Sequence, residues 1–243
     1  MAGHSKWNNI KNKKGKEDAR RGQIFTKLSR MISVAVKEGG TDPSYNPALQ
    51  SAIDKAKAEN MPNDNIERAI KRAAGEDADT HYEEVWYEGY GPEGVAVIVQ
   101  CLTDNRNRTA PDIRHAFDKY GGNLGQTGSV TFLFERKGVL IADEKSMPED
   151  DFFMHAIDAG AEDVLHEEGY YEVQTDVEHF NAVKQQLLSA GIEFERLDLA
   201  FLPTTSAVIQ DEKNRINMEK LIDVLEENDD VQEVYHNWNP EEA

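Results

Sequence analysis

Residues 213–235, KNRINMEKLIDVLEENDDVQEVY, decide the fold. Lys213 to Glu227 reads as a helix and Val231 to Tyr235 as a strand. One helix and one strand cannot bury a core by themselves. The pair is therefore expected to return to a sheet begun much earlier, near residue 82, which makes the chain in between an insertion.

Working back from that segment, Val85 to Tyr90 and Val95 to Leu102 read as strands joined by the turn Gly91-Pro92-Glu93-Gly94. Pro111 to Tyr120 is expected to be helical, Ser129 to Glu135 a strand, and Gly138 to Ala142 the start of another. Glu149 to Ala159 reads as a helix with Phe152, Phe153, Ala156 and Ile157 inward. Asp163 to His166 and Tyr170 to Gln174 read as a hairpin, Val177 to Ser189 as a helix and Glu193 to Leu202 as a strand. The order β-α-β-β-α-β is that of a split βαβ sandwich.

Before residue 76 the periodicity is helical. Ile24, Leu28, Met31, Ile32, Ala35 and Val36 form one apolar face over about Arg20 to Glu38, and Gly39-Gly40 ends it. Asn46-Pro47 opens a second helix with the stripe Leu49, Ala52, Ile53 and Ala56. Asn60-Met61-Pro62 forces a turn, and Asn63 or Asp64 is expected to cap a third helix, with Glu67 completing a capping box. Ile66, Ala69, Ile70 and Ala73 face inward, and Glu76 to Thr80 reads as a linker. The fold class is α+β: an N-terminal three-helix bundle, then two α/β sandwich domains of ferredoxin-like type, the third inserted in the second. The expected boundaries are 1–22 for a basic arm, 23–76 for the bundle, 82–137 with 204–243 for the second domain, and 138–203 for the third.

Charge is segregated along the chain. The whole carries −19, yet residues 1–75 carry a net +7 and residues 76–243 a net −26. The arm holds Lys6, Lys11, Lys13, Lys14, Lys16, Arg20 and Arg21, with Trp7 among them, and Lys27 follows. A dense basic run releases counterions on a polyanion, and an aromatic among bases can stack on a base. Arg68, Lys71 and Arg72 stand at i, i+3 and i+4, which places three charges on one helix face. These twelve residues are the expected nucleic-acid contacts; the plain alternatives are a solvated tail and a solvated helix face.

Asn105, Arg106, Asn107, Arg108 and Thr109 follow a strand and open a helix, and Thr109 with Asp112 matches a capping box. Two arginines at a helix N-terminus oppose the dipole, so the loop is expected to meet an anion or a partner. Gly121 to Gly128 lacks the Gly-Lys-Ser/Thr of a phosphate loop and follows a helix rather than a strand, so it reads as a helix end and a turn. Cys101, the one cysteine, lies in an apolar run and reads as a buried inert thiol, consistent with a reducing cytoplasm. The seven histidines have no metal-ligand spacing, and no nucleophile elbow or triad motif is present. No enzyme, metal site or cofactor is expected. The basic start has no apolar stretch behind it and reads as mature sequence, and no run is long enough to span a bilayer.

Met1-Ala-Gly-His-Ser-Lys-Trp7, Phe25-Thr-Lys-Leu28, Asn60-Met-Pro-Asn-Asp-Asn-Ile-Glu-Arg-Ala-Ile70, Tyr87-Glu-Gly-Tyr-Gly-Pro92 and Leu102-Thr-Asp-Asn-Arg-Asn-Arg-Thr109 together resemble the YebC/PmpR family. That family includes a mitochondrial translational activator of cytochrome oxidase subunit one. The resemblance covers essentially the whole chain and implies three domains. It implies a non-enzymatic, DNA-binding transcriptional regulator or, alternatively, a ribosome-associated factor that relieves stalling on proline-rich nascent chains. The implied partners are DNA or ribosomal RNA; from the charge segregation, the acidic body is expected to orient the protein or to meet protein partners.

Overall fold

The computed structural model describes residues 17–75, 80–167 and 169–240. These fall into two compact units: Phe134–Thr204, and the residues before Phe134 together with those from Thr205 onward.

In the larger unit the bundle comprises α1 (Glu17–Gly39), α2 (Pro47–Ala58) and α3 (Asn63–Ala74). Leu28, Ile32, Ala35 and Val36 meet Leu49, Ala52, Ile53 and Ala56 and then Met61, Ile66 and Ala73, while Ile24 and Met31 pack at the edge. The first two helices are closed by one side chain. Buried Asn46 donates from Nδ2 to the carbonyls of Ala35 (2.6 Å) and Gly40 (2.8 Å). Its Oδ1 accepts from Leu49 N at 3.1 Å, the N-cap contact of α2. Gly39 leaves the room this needs, since a Cβ there would lie 2.6 Å from Asn46 Cγ. The third helix starts differently from expectation. Its N-cap is Pro62, with no side-chain cap, and the amides of Asn65 and Ile66 bond to the Pro62 carbonyl. The rigid proline turn after Asn60 (φ 57°) sets the entry without Asn63 or Asp64.

The bundle leads into β1 (Glu83–Tyr90), β2 (Ala96–Thr103), α4 (Arg106–Lys119) and β3 (Asn123–Leu124). After the smaller unit, α7 (Glu212–Glu226) and β8 (Val231–His236) complete the sheet, whose antiparallel order is β3-β1-β2-β8. The last strand therefore lies beside β2, more than a hundred residues earlier in the chain, with Val97 opposite His236. Val97, Val99 and Cys101 face Ile113, Phe117, Met218, Leu221 and Leu225 from α4 and α7. Burial pushes the Cys101 thiol up to about 12.

The smaller unit contains β4 (Phe134–Asp143), α5 (Glu149–Asp158), β5 (Asp163–Glu167), β6 (Tyr170–Thr175), α6 (Phe180–Ser189) and β7 (Arg196–Pro203). Its antiparallel order β5-β6-β4-β7 is the ferredoxin-like arrangement. Phe152, Ala156 and Ala159 point inward at i, i+4 and i+7, whereas Ile157 is exposed. Five residues from Phe152, Ile157 falls on the other side of the helix.

One expected strand is absent from 129–133. Residues 131–133 form a 3₁₀ turn, and a single strand runs from Phe134 to Asp143. The buried Glu88 carboxylate explains this: it accepts from the amides of Gly128 (2.7 Å), Val130 (2.9 Å) and Thr131 (2.9 Å), which are then unavailable to a ladder. Burial alone would raise its pKa, but those donors outweigh it and hold the carboxyl below the usual range. Similarly α6 begins at Phe180, because Asp176 first takes the His179 amide and ring in a turn.

Removing the shared cap should loosen both helices it serves. Asn46→Ala is expected to destabilise the protein by about 2–3 kcal/mol in urea unfolding, since buried carbonyls lose their donors. Asn46→Asp keeps the Leu49 contact but sets a carboxylate against two carbonyl oxygens, and should be no better. A loss below about 0.5 kcal/mol for both would refute this role.

Candidate nucleic-acid interface

Seven of the expected contacts, Lys6, Trp7, Lys11, Lys13, Lys14, Lys16 and the side chain of Arg20, lie outside the described residues. Arg21 is exposed on α1. Arg68, Lys71 and Arg72 are exposed together on α3. Arg68 reaches Asn65 Oδ1 at 3.5 Å, and Lys71 stands 3.9 Å from Glu67 with its side chain 80% exposed. An ion pair that long and that solvated contributes little, so Lys71 keeps most of its positive field. Helix geometry made it: inward Ile66 and Ala73 fix the opposite side of α3 in the bundle core.

Lys27 sits in different surroundings. It is half-buried, and Nζ donates to the Glu226 carbonyl at 2.7 Å. Burial lowers its pKa, against the opposing pull of Glu233, Glu226 and Asp229. Gln23, one turn earlier, donates to the Glu227 carbonyl at 3.1 Å. Arg30, one turn later, reaches the Asp229 carbonyl at 2.7 Å and Asp230 Oδ1 at 2.6 Å. These three side chains lie along one stripe of α1. They meet the C-terminal end of α7, which has no basic residue in its last turn. Unsatisfied carbonyls and the negative end of the dipole favour donors there, and α1 provides them.

Asp230 is the centre of this polar region. Its side chain is 5% exposed and accepts from Arg30, from Arg108 Nη2 at 2.9 Å on both oxygens, and from Thr109 Oγ1 at 2.7 Å. Thr109 also bonds Thr103 Oγ1 at 2.8 Å, and Asp230 N donates to Asn228 Oδ1 at 2.8 Å. Burial would raise the Asp230 pKa; the donors from Thr109, Arg108 and Arg30 outweigh it and lower it. The same contacts, with Asp104, raise Arg108.

The 105–109 loop thus divides. The expected capping box is replaced: Asn105 is the N-cap, its Oδ1 accepting from Arg108 N at 3.2 Å, and buried Thr109 turns inward to Asp230. The arginine that opposed the dipole at Arg108 meets an internal anion. Arg106 and Asn107 remain exposed. Sequence reasoning missed Arg30 and Asp230 as a pair. The available signal was the acidic pair Asp229-Asp230 directly before an apolar strand, where burial demands a cationic partner. Among the described residues, no group of three or more His, Cys, Asp or Glu is arranged to hold a metal ion, and no helix is long and apolar enough to cross a membrane.

Residues 5–76 match the pattern described as the TACO1/YebC protein N-terminal domain, and residues 82–238 that of the TACO1/YebC second and third domain. The chain belongs to the TACO1/YebC family. A relative from Finegoldia magna is 59% identical, over 99% of this chain and all of that one, and one from Persephonella marina is 56% identical over 98% and 96%. Both are named "Probable transcriptional regulatory protein". The crystal structure of a conserved hypothetical protein from Aquifex aeolicus is similar at a TM-score of 0.82 and 46% identity, covering 91% of each chain.

Asp230 gives this member of the TACO1/YebC family a definite acid response. Its folded-state pKa is depressed, so its stabilisation is fully present above the unfolded value near about 3.9 and disappears as pH falls through the lower folded value. Asp230→Asn should therefore be least stable relative to the parent near neutral pH, with the gap narrowing from about pH 4 downward. Urea unfolding across that range checks it; a gap independent of pH would assign the loss to packing.

Proposed function

We propose that this protein is a non-enzymatic nucleic-acid-binding regulator acting in the cytoplasm, with DNA as its target and transcription as the process. The observation that carries this reading is the exposed basic face of Arg68, Lys71 and Arg72 on α3, within the first 75 residues, which are net positive. A phosphate backbone needs such a face and little else for affinity. The names of the relatives support the process. Binding rather than catalysis is favoured because the buried carboxylates with depressed pKa values, Glu88 and Asp230, are each saturated by structural donors. Neither is left to move a proton.

The basic arm and α3 would supply phosphate contacts, and the acidic remainder would be repelled and so orient the protein. Few side chains are placed to read base edges: the first turns of α3 offer Asn65 and Arg68, which already touch each other.

Replacing Arg68, Lys71 and Arg72 together by glutamine is expected to weaken binding to duplex DNA, with little change in thermal midpoint, since helix propensity is nearly kept. The slope of log affinity against log salt should fall by up to about 0.9 for each phosphate no longer neutralised. Equal affinity at matched salt would show the face to be merely solvated. Selection from a random duplex library should yield only a weak consensus; a sharp one would require base-reading groups that α3 does not offer.

A further inference from the structure

The bundle and the α/β part of the larger unit have separate hydrophobic clusters. What joins α1 to the end of α7 is polar: Gln23 to the Glu227 carbonyl, Lys27 to that of Glu226, and Arg30 to the Asp229 carbonyl and Asp230. Arg30 also stacks over Tyr82 at 5.7 Å. The acceptors form a continuous anionic run. Backbone carbonyls at a helix C-terminus carry partial negative charge, and the side chains of Glu226, Asp229 and Asp230 add to it in the surroundings of Lys27 and Arg30. To two cations on a helix, that run offers what a phosphodiester strand offers: closely spaced oxygen acceptors with net negative charge.

We propose that this joint is an electrostatic latch: nucleic-acid phosphates compete with the 226–230 segment for Lys27 and Arg30, so that binding through α1 opens the joint. The inference rests on the nucleic-acid reading above and adds its regulation. Two features make release feasible. Asp230 keeps Arg108 and Thr109 when Arg30 leaves, so no buried carboxylate is stranded without donors. The contact is also one of charges and hydrogen bonds rather than shared apolar surface, so an incoming anion can replace it group for group, and salt weakens it. In the closed state the two cations are withheld, which lowers affinity for any polyanion that lacks enough phosphates to displace the segment.

The full-length chain carries the test. Ser51→Cys on α2 and Glu219→Cys on α7 place exposed thiols on the two sides of the joint, and Cys101 stays unlabelled because it is fully buried in the sheet core. A random-sequence DNA duplex is titrated against the donor–acceptor pair, with single-stranded RNA of equal length in a second arm. Transfer efficiency should fall as either probe saturates the protein; a fall with RNA alone keeps the latch but moves its ligand away from DNA. Asp230→Asn should shift the free protein toward the lower efficiency, tighten binding, and steepen the salt plot by up to about 0.9 for each phosphate newly neutralised on duplex. Adding Lys27→Gln and Arg30→Gln should abolish that gain. Saturated binding with unchanged efficiency overturns the latch and leaves the binding function standing. No binding in either arm overturns both.

Discussion

A carboxylate almost withdrawn from water costs several kcal/mol unless cations and hydroxyls replace its hydration, and at Asp230 the replacements come from three directions. Arg30 arrives from the bundle, Arg108 and Thr109 from α4, and the Thr103 hydroxyl at the end of β2 stands 3.4 Å from Oδ2, while the Asp230 main-chain carbonyl separately takes the Leu102 amide at 2.7 Å. The residue stands between α7 and β8, where the chain re-enters the sheet it left about a hundred residues before. That return gives the first sheet its fourth strand and fixes where α7 lies on α4 through Met218, Leu221 and Leu225. A single charged side chain thus marks the point at which bundle, sheet and helical layer meet. Removing any one donor would leave the others to hold a less compensated charge.

Much of the fold was legible because it rests on periodicity. The stripes of α1 and α2, the Asn46-Pro47 start and the β-hairpin across Gly91 to Gly94 follow from local rules that tertiary structure did not override. The re-entry of the last strand was legible from a size argument, since a lone helix and strand have nothing to bury. What failed did so where a side chain from elsewhere took over the backbone. Glu88 took the amides of Gly128, Val130 and Thr131 and turned an expected strand into a 3₁₀ turn. Asn105 rather than Thr109 capped α4 because Thr109 was required inside by Asp230. Such long-range polar claims leave no period in the sequence.

The candidate site was legible only in part for the same reason. Composition locates positive charge but not its employment. Arg68, Lys71 and Arg72 remain solvated on α3, whereas Lys27, equally basic on paper, is committed to the end of α7. Its neighbour in space, Arg30, looked like one more base in a basic region, yet it reaches across the fold to Asp230. The functional picture that results is of two cationic populations: one displayed to solvent, the other held by the protein's own acidic segment. On the proposed reading, nucleic-acid binding would respond to ionic strength twice, through counterion release at the displayed face and through the joint.

The central claim is that Asp230 couples the bundle to the α/β half by a direct energetic link with Arg30. A double-mutant cycle measures that link: Arg30→Met, Asp230→Asn and the pair, each unfolded in urea at neutral pH and low salt. The predicted coupling is about 1.5–3 kcal/mol, as for a charged, partly buried hydrogen-bonded pair. Additivity within about 0.5 kcal/mol would contradict it, because the two groups would then contribute independently and the joint would need another cause.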